Sequence, residues 1–193
     1  GKTVGHIELQ VPGHHNLLNA AGVLATGLKL GFPVAELLTG LGTFRGTGRR
    51  FELKGTVHGV RVIDDYGHHP TEIHVTLEAA RRFADAGRLI VIFQPHRYSR
   101  TKAFAAQFAS ELNLADRAIL LEVYAASEKP IDGVSSRLIT SMMTKGEYIP
   151  NFVEVTDSVV ADAQPGDVIM TLGAGDVSSL APIIVEGLSR RFE

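Results

Sequence analysis

Residues 64–70 read Asp-Asp-Tyr-Gly-His-His-Pro, directly after the apolar positions Val60, Val62 and Ile63. Two carboxylates, a phenol and two imidazoles stand where a buried strand should end. Such a set can accept and donate protons near neutral pH, because imidazole titrates there. A second polar run, Gln94-Pro95-His96-Arg97-Tyr98-Ser99-Arg100, follows the apolar stretch at 89–93. Guanidinium groups three residues apart suit bidentate capture of a carboxylate or phosphate. Two further loops, 124–128 and Gly173-Ala174-Gly175-Asp176, also follow apolar runs. Polar clusters at the carboxyl ends of parallel strands mark the ligand crevice of open α/β sheets.

Each cluster has a plain structural reading beside the chemical one. Asp65 or Thr71 would serve to cap the following helix. The paired imidazoles would be solvated, Arg97 and Arg100 would be surface charge, and residues 173–176 would form a tight turn. All four plain readings holding at one sheet edge is the less economical account. Nearer the start, Gly13-His14-His15-Asn16-Leu17-Leu18-Asn19 opens a helical stripe. Asn16 is a good helix N-cap, and Asn19, three residues on, shares its face. Two carboxamides there offer donors and acceptors that match the edge of an adenine.

The elements that must position these groups follow from periodicity. Residues 7–11 alternate like a strand, 16–30 carry a helical stripe ended by Gly31, and 33–41 form a second short helix starting at Pro33. One strand and two helices cannot close a core of their own. This part is expected to belong to a larger domain. A glycine-rich link, Gly42 to Gly48, separates it from the rest of the chain. From there the pattern is β then α: a hairpin 51–57 and 60–64 turning at His58-Gly59, helix 70–84, strand 89–93, helix 101–112, strand 118–123, helix 133–144, strands 152–155 and 168–172 with a short helix between, and helix 177–190. Continuous apolar strands alternating with helices predict an α/β fold with a doubly wound, mostly parallel sheet.

Composition narrows the class. The chain has 193 residues, 45% hydrophobic and 21% charged, with a net charge of −2. A packed core is feasible, and no general attraction to nucleic acid or acidic membranes is implied. The absence of cysteine excludes disulfides and thiolate metal sites. No apolar run approaches the ~18 residues of a membrane span. With neither an initiator Met nor a signal-peptide pattern at the start, the chain reads as an excised piece of a cytoplasmic protein.

The strings HHNLLNA (14–20, preceded by Pro12-Gly13), GTGRRFE (46–52), DDYGHHPTEI (64–73), QPHRYSRT (94–101), VYAASE (123–128) and LGAGD (172–176) together resemble the Mur ligase family. They span nearly the whole chain, in the family's order. The resemblance implies the tail of a central ATP-binding domain at 1–48, then a carboxyl-terminal Rossmann-like, amino-acid-binding domain at 49–193. It further implies ATP-dependent joining of L-alanine to the lactyl carboxylate of UDP-N-acetylmuramate in peptidoglycan biosynthesis, through an acyl phosphate.

By the same resemblance His15, Asn16 and Asn19 lie near adenine. Arg50 approaches the nucleotide phosphates, Asp65 contacts the nucleotide at the ribose, and Tyr66 lies next to it. His68, Arg97 and Arg100 surround the incoming amino acid and the reacting carboxylate, with His68 acting either as a base or as an orienting group. Mg2+ is implied, with its ligands outside this sequence. No G-x-x-x-x-G-K-[ST] phosphate loop is present, and Gly1-Lys2-Thr3 matches its last letters by chance. The chain alone is therefore expected not to turn over. Gly46 and Gly48 are candidate hinges for a lid motion. Other readings are a non-catalytic nucleotide-binding module, a dinucleotide-binding oxidoreductase domain lacking G-x-G-x-x-G, and a sister ligase such as the one that recycles murein tripeptide. Oligomeric state is not legible.

Overall fold

The computed structural model describes residues 3–11 and 13–193. Pro12, and the Gly1-Lys2 pair that echoes a phosphate loop, lie outside the described residues. Six strands form one sheet in the order β1-β2-β6-β3-β4-β5. Strand β1 (Glu52–Val57) pairs antiparallel with β2 (Val60–Asp65). The hairpin turns at His58 and Gly59 with φ of 48° and 81°, the paired positive values of a tight turn matched to strand twist. The remaining strands, β3 (Leu89–Phe93), β4 (Arg117–Leu120), β5 (Gly146–Tyr148) and β6 (Val168–Leu172), join β2 in parallel. Their carboxyl ends lie at one edge, as the four polar loops require.

Strand alternation splits the core into two layers. Ile63, Leu89, Val91 and Phe93 pack against α3 (Pro70–Ala84) and α4 (Tyr98–Leu112). Val60, Val62, Ile90 and Ile92 face the other way, against α6 (Phe152–Asp162) and α7 (Leu180–Phe192). Burial on both faces explains why the central strands read as continuous apolar runs.

The structure corrects several expectations. Residues 152–155 are not a strand but the first turn of α6. The Asn151 side chain accepts from the N–H groups of Val153 and Glu154 at 2.9 and 3.2 Å and starts a helix whose buried face is Val155, Thr156 and Val159. An N-cap thus overrides local β-propensity. The strand at that place in the order is β5. Helix 133–144 shrinks to one turn, α5 (Arg137–Thr140). Residues 7–11 form no strand, for they have no pairing partner among the described residues. Helix α1 (His14–Lys29) starts two residues before Asn16, so Asn16 is not its N-cap. With α2 (Val34–Thr43), α1 carries an apolar face that stays largely open: Leu18 is 62% and Leu30 70% exposed.

Phe108 is fully buried between the rings of Phe93 and Phe104. Replacing it by Ala is expected to lower unfolding free energy by about 3–5 kcal/mol, read by urea titration. On the surface, His74 of α3 meets Glu111 of α4 at 2.7 Å, and that hydrogen bond raises the pKa of the imidazole. A raised histidine pKa adds stability below its unfolded value, and that stability fades as pH rises through the folded value. Glu111→Gln should therefore lower Tm slightly near pH ~5.5 and have no effect by pH ~9, small because the pair is exposed.

Candidate active site

Strand β2 ends in two adjacent carboxylates, which a pleated strand sends to opposite faces. Asp64 accepts from Thr171 Oγ1 at 2.7 Å and from Arg49 Nε at 3.0 Å. The same guanidinium donates to the carbonyls of Gly173 and Gly175 at 2.5 and 3.5 Å. Arg49 thus spans the ends of β2 and β6. Asp65 accepts from the N–H groups of Phe51 and Gly67, each at 2.8 Å, and from Thr76 Oγ1 at 3.3 Å. Burial pushes its pKa up, and those two backbone N–H groups pull it back. The Tyr66 N–H donates to the Arg49 carbonyl at 2.8 Å. Residues 49–51 are therefore fixed onto residues 64–67, with Arg49 and Phe51 held at φ of 59° and 50°.

Beside this clamp lies a cavity of about 820 Å³ between α1, α2, the link and α3. His15, Asn16, Asn19, Arg50 and Asp65, which the family resemblance places at the nucleotide, all line it. Most of its wall is apolar, from Val11, Val23, Leu41, Phe44 and Phe51 among others, as suits a flat aromatic base. Asn16 and Asn19 face it together although Asn16 sits inside α1. The Arg50 guanidinium makes no hydrogen bond or ion pair among the described residues and lies 5.5 Å from the Tyr66 ring.

Tyr66 lies outside that lining and bridges to a second cluster. Its ring meets His68 edge-on at 5.1 Å, and His68 lies 5.7 Å from His96, which stacks on Tyr124 at 5.6 Å. His68 Nδ1 lies 3.0 Å from the Tyr66 carbonyl. In the neutral ring that contact places the proton on Nδ1 and leaves Nε2 as an acceptor. His96 has a lowered pKa, from burial first and then from neighbouring His68, Arg100 and Arg97. Its Nδ1 and the Nη1 of Arg100 are buried without a hydrogen-bond partner. Unpaired buried polar atoms at a strand edge mark a place built for something polar to arrive.

The plain readings resolve unevenly. Neither Asp65 nor Thr71 caps α3. His69 does, its Nδ1 accepting from the Thr71 N–H at 3.3 Å, while Glu72 accepts from the N–H groups of His68 and His69 at 3.0 and 3.1 Å. For residues 173–176 the turn reading holds. A Cβ at Gly173 would meet the Gln94 carbonyl at 2.7 Å, and one at Gly175 would meet the Gln94 Oε1 at 2.2 Å. Those glycines serve close packing, and their carbonyls are taken by Arg49. Sequence reasoning missed the roles of Arg49, Gln94 and His96, which depend on partners far along the chain, and that of Glu72, whose partners His68 and His69 lie only four and three residues back. Among the described residues no cluster of three or more His, Asp or Glu side chains is placed to hold a metal ion.

Arg49→Ala leaves buried Asp64 without its cation and frees the Gly173 carbonyl. It is expected to cost about 2–3 kcal/mol of stability by urea titration, while Asp64→Asn in that background costs much less than it does alone.

Known proteins resemble this chain along nearly its whole length. The family described as "Mur ligase, glutamate ligase domain" matches residues 49–175. The UDP-N-acetylmuramate–L-alanine ligase of Mycobacterium marinum is 51% identical over 191 residues, covering 97% of this chain and 39% of the relative. That of Acidothermus cellulolyticus is 46% identical over 198 residues, covering all of this chain and 42% of the relative. The crystal structure of the Thermotoga maritima UDP-N-acetylmuramate–alanine ligase superposes with a TM-score of 0.80 at 31% identity, over 96% of this chain and 40% of that one. The chain thus spans about two fifths of the length of the relatives it matches.

Proposed function

Because the chain belongs to the Mur ligase family, we propose that it is the carboxyl-terminal part of an enzyme joining L-alanine to UDP-N-acetylmuramate as ATP is split to ADP and phosphate. The observation that carries this reading is the pairing of two clusters across Tyr66. One is an apolar cavity rimmed by Asn16, Asn19, Arg50 and Asp65, and the other is a set of imidazoles and guanidiniums with unpaired buried polar atoms. The relatives' shared activity, at about half identity, supports the same assignment.

Residues 1–48 are the tail of a central ATP-binding domain, and 49–193 are the amino-acid-binding domain. The open apolar faces of α1 and α2 support that division, since an amphipathic helix pair buries such a face against further structure. In the cavity, adenine lies against the carboxamides of Asn16 and Asn19, with His15 beside them. Asp65 retains lone-pair capacity for a ribose hydroxyl, although three donors already hold it. Arg50, uncommitted at the rim, meets the phosphates. The magnesium ligands and phosphate loop belong to the larger share of the relatives' length. ATP and a UDP-sugar as substrates fit a cytoplasmic location.

At the second cluster Arg97 and Arg100 hold the carboxylate of L-alanine and leave its amine free. Their fixed charge also favours the anionic acyl phosphate and the tetrahedral intermediate that the amine forms by attack. His68, with Nδ1 tied to the Tyr66 carbonyl, offers Nε2 to the amine as a proton acceptor. In the complete enzyme, Arg97→Ala or Arg100→Ala should raise the KM for L-alanine by about 10–100-fold and leave that for ATP within about twofold. Equal effects on both would contradict the assignment. Phosphate release by the 193-residue chain alone, given all three substrates, would contradict the division of labour.

A further inference from the structure

Helix α4 starts from an unusual backbone. Arg97, the residue before it, has a φ of 74° and provides no side-chain cap. For a residue with a Cβ that left-handed conformation persists only where its surroundings enforce it. The first turn is gripped from the loop after β4. Glu128 accepts from the Ser99 N–H at 2.9 Å and from the Ser99 hydroxyl at 2.5 Å. These bonds hold the Glu128 carboxyl below its ordinary pKa, the hydroxyl contributing most. The loop that delivers Glu128 is itself left-handed at two non-glycine residues, Ala126 and Ser127, with φ of 48° and 73°.

Behind this contact the two loops are tied by backbone. The Arg97 N–H donates to the Tyr124 carbonyl, and the Tyr124 N–H donates to the Pro95 carbonyl, both at 2.8 Å. Three left-handed residues in two loops are thus clamped at the rear by main chain and at the front by Glu128. Arg97 and Arg100 flank Ser99, the residue that Glu128 grips. One precedes the helix and the other lies in its first turn, so the direction of the first turn sets the spacing of both guanidiniums.

We propose that Glu128 is a positioning residue for amino-acid capture, holding Ser99 and with it the left-handed turn that presents Arg97 and Arg100 as a pair. This rests on the ligase reading. The alternative is a helix cap that adds stability and nothing more. Such a cap would lower Tm on removal and leave the balance between the two small substrates unchanged.

The test uses the complete enzyme with ATP, UDP-N-acetylmuramate and L-alanine. Glu128→Ala should raise the KM for L-alanine about tenfold and Ser99→Ala about threefold, with the KM for ATP within about twofold in both. An unchanged KM for L-alanine, or an equal rise for ATP, overturns the proposal. If Glu128→Ala does not fold, the two KM values of Ser99→Ala decide by the same criteria. Amide exchange of the 193-residue chain checks the contact without turnover, since Glu128→Ala should abolish protection of the Ser99 N–H. Unchanged Ser99 exchange would sink the contact itself, whereas a parent enzyme indifferent to L-alanine would sink the ligase reading.

Discussion

The site depends on two neighbouring carboxylates pointing opposite ways. A strand sends Asp64 and Asp65 to opposite faces, and each seizes a different residue between the link and the sheet. Asp64 holds the Arg49 guanidinium, and Asp65 holds the Phe51 N–H. Between them Arg50 is left with its guanidinium at the cavity rim. Without this clamp the cavity wall that the link supplies would have no fixed relation to the end of β2. Any swing of residues 1–48 must then be taken up before residue 49, which keeps Gly46, at φ 97°, as a hinge candidate.

Arginines divide by what they are bound to. Arg49 is committed to a carboxylate and two carbonyls, and Arg88 and Arg117 to acidic partners at the opposite edge of the sheet. Arg50, Arg97 and Arg100 lie at the carboxyl edge with guanidinium donors to spare. A folded protein seldom leaves an Arg100 Nη1 buried and unpaired without a use for it. The contrast separates cations that build the fold from cations with donors to spare.

Much of this was legible in sequence, for identifiable reasons. Strand 89–93 and helix 70–84 match the observed β3 and α3 residue for residue, because continuous apolar runs and a Pro-led amphipathic stripe are strong local signals. The face shared by Asn16 and Asn19 followed from helical spacing even though the N-cap assignment failed. The error at 152–155 arose where β-branched residues outvoted the cap at Asn151. What stayed hidden was long-range. Nothing near Arg49 announces Gly173, and nothing near Ser99 announces Glu128, 29 positions away. Such pairings are decided by topology, which brings separate strand ends to one edge.

The central claim is that two ligand sites meet at Tyr66. Backbone amide shifts of the 193-residue chain, titrated separately with ADP and with L-alanine, test it most directly. ADP should move Asn19, Arg50 and Asp65, L-alanine should move Arg97 and Arg100, and Tyr66 should respond to both. One common set of shifted residues for the two ligands, or a Tyr66 amide indifferent to both, would contradict it.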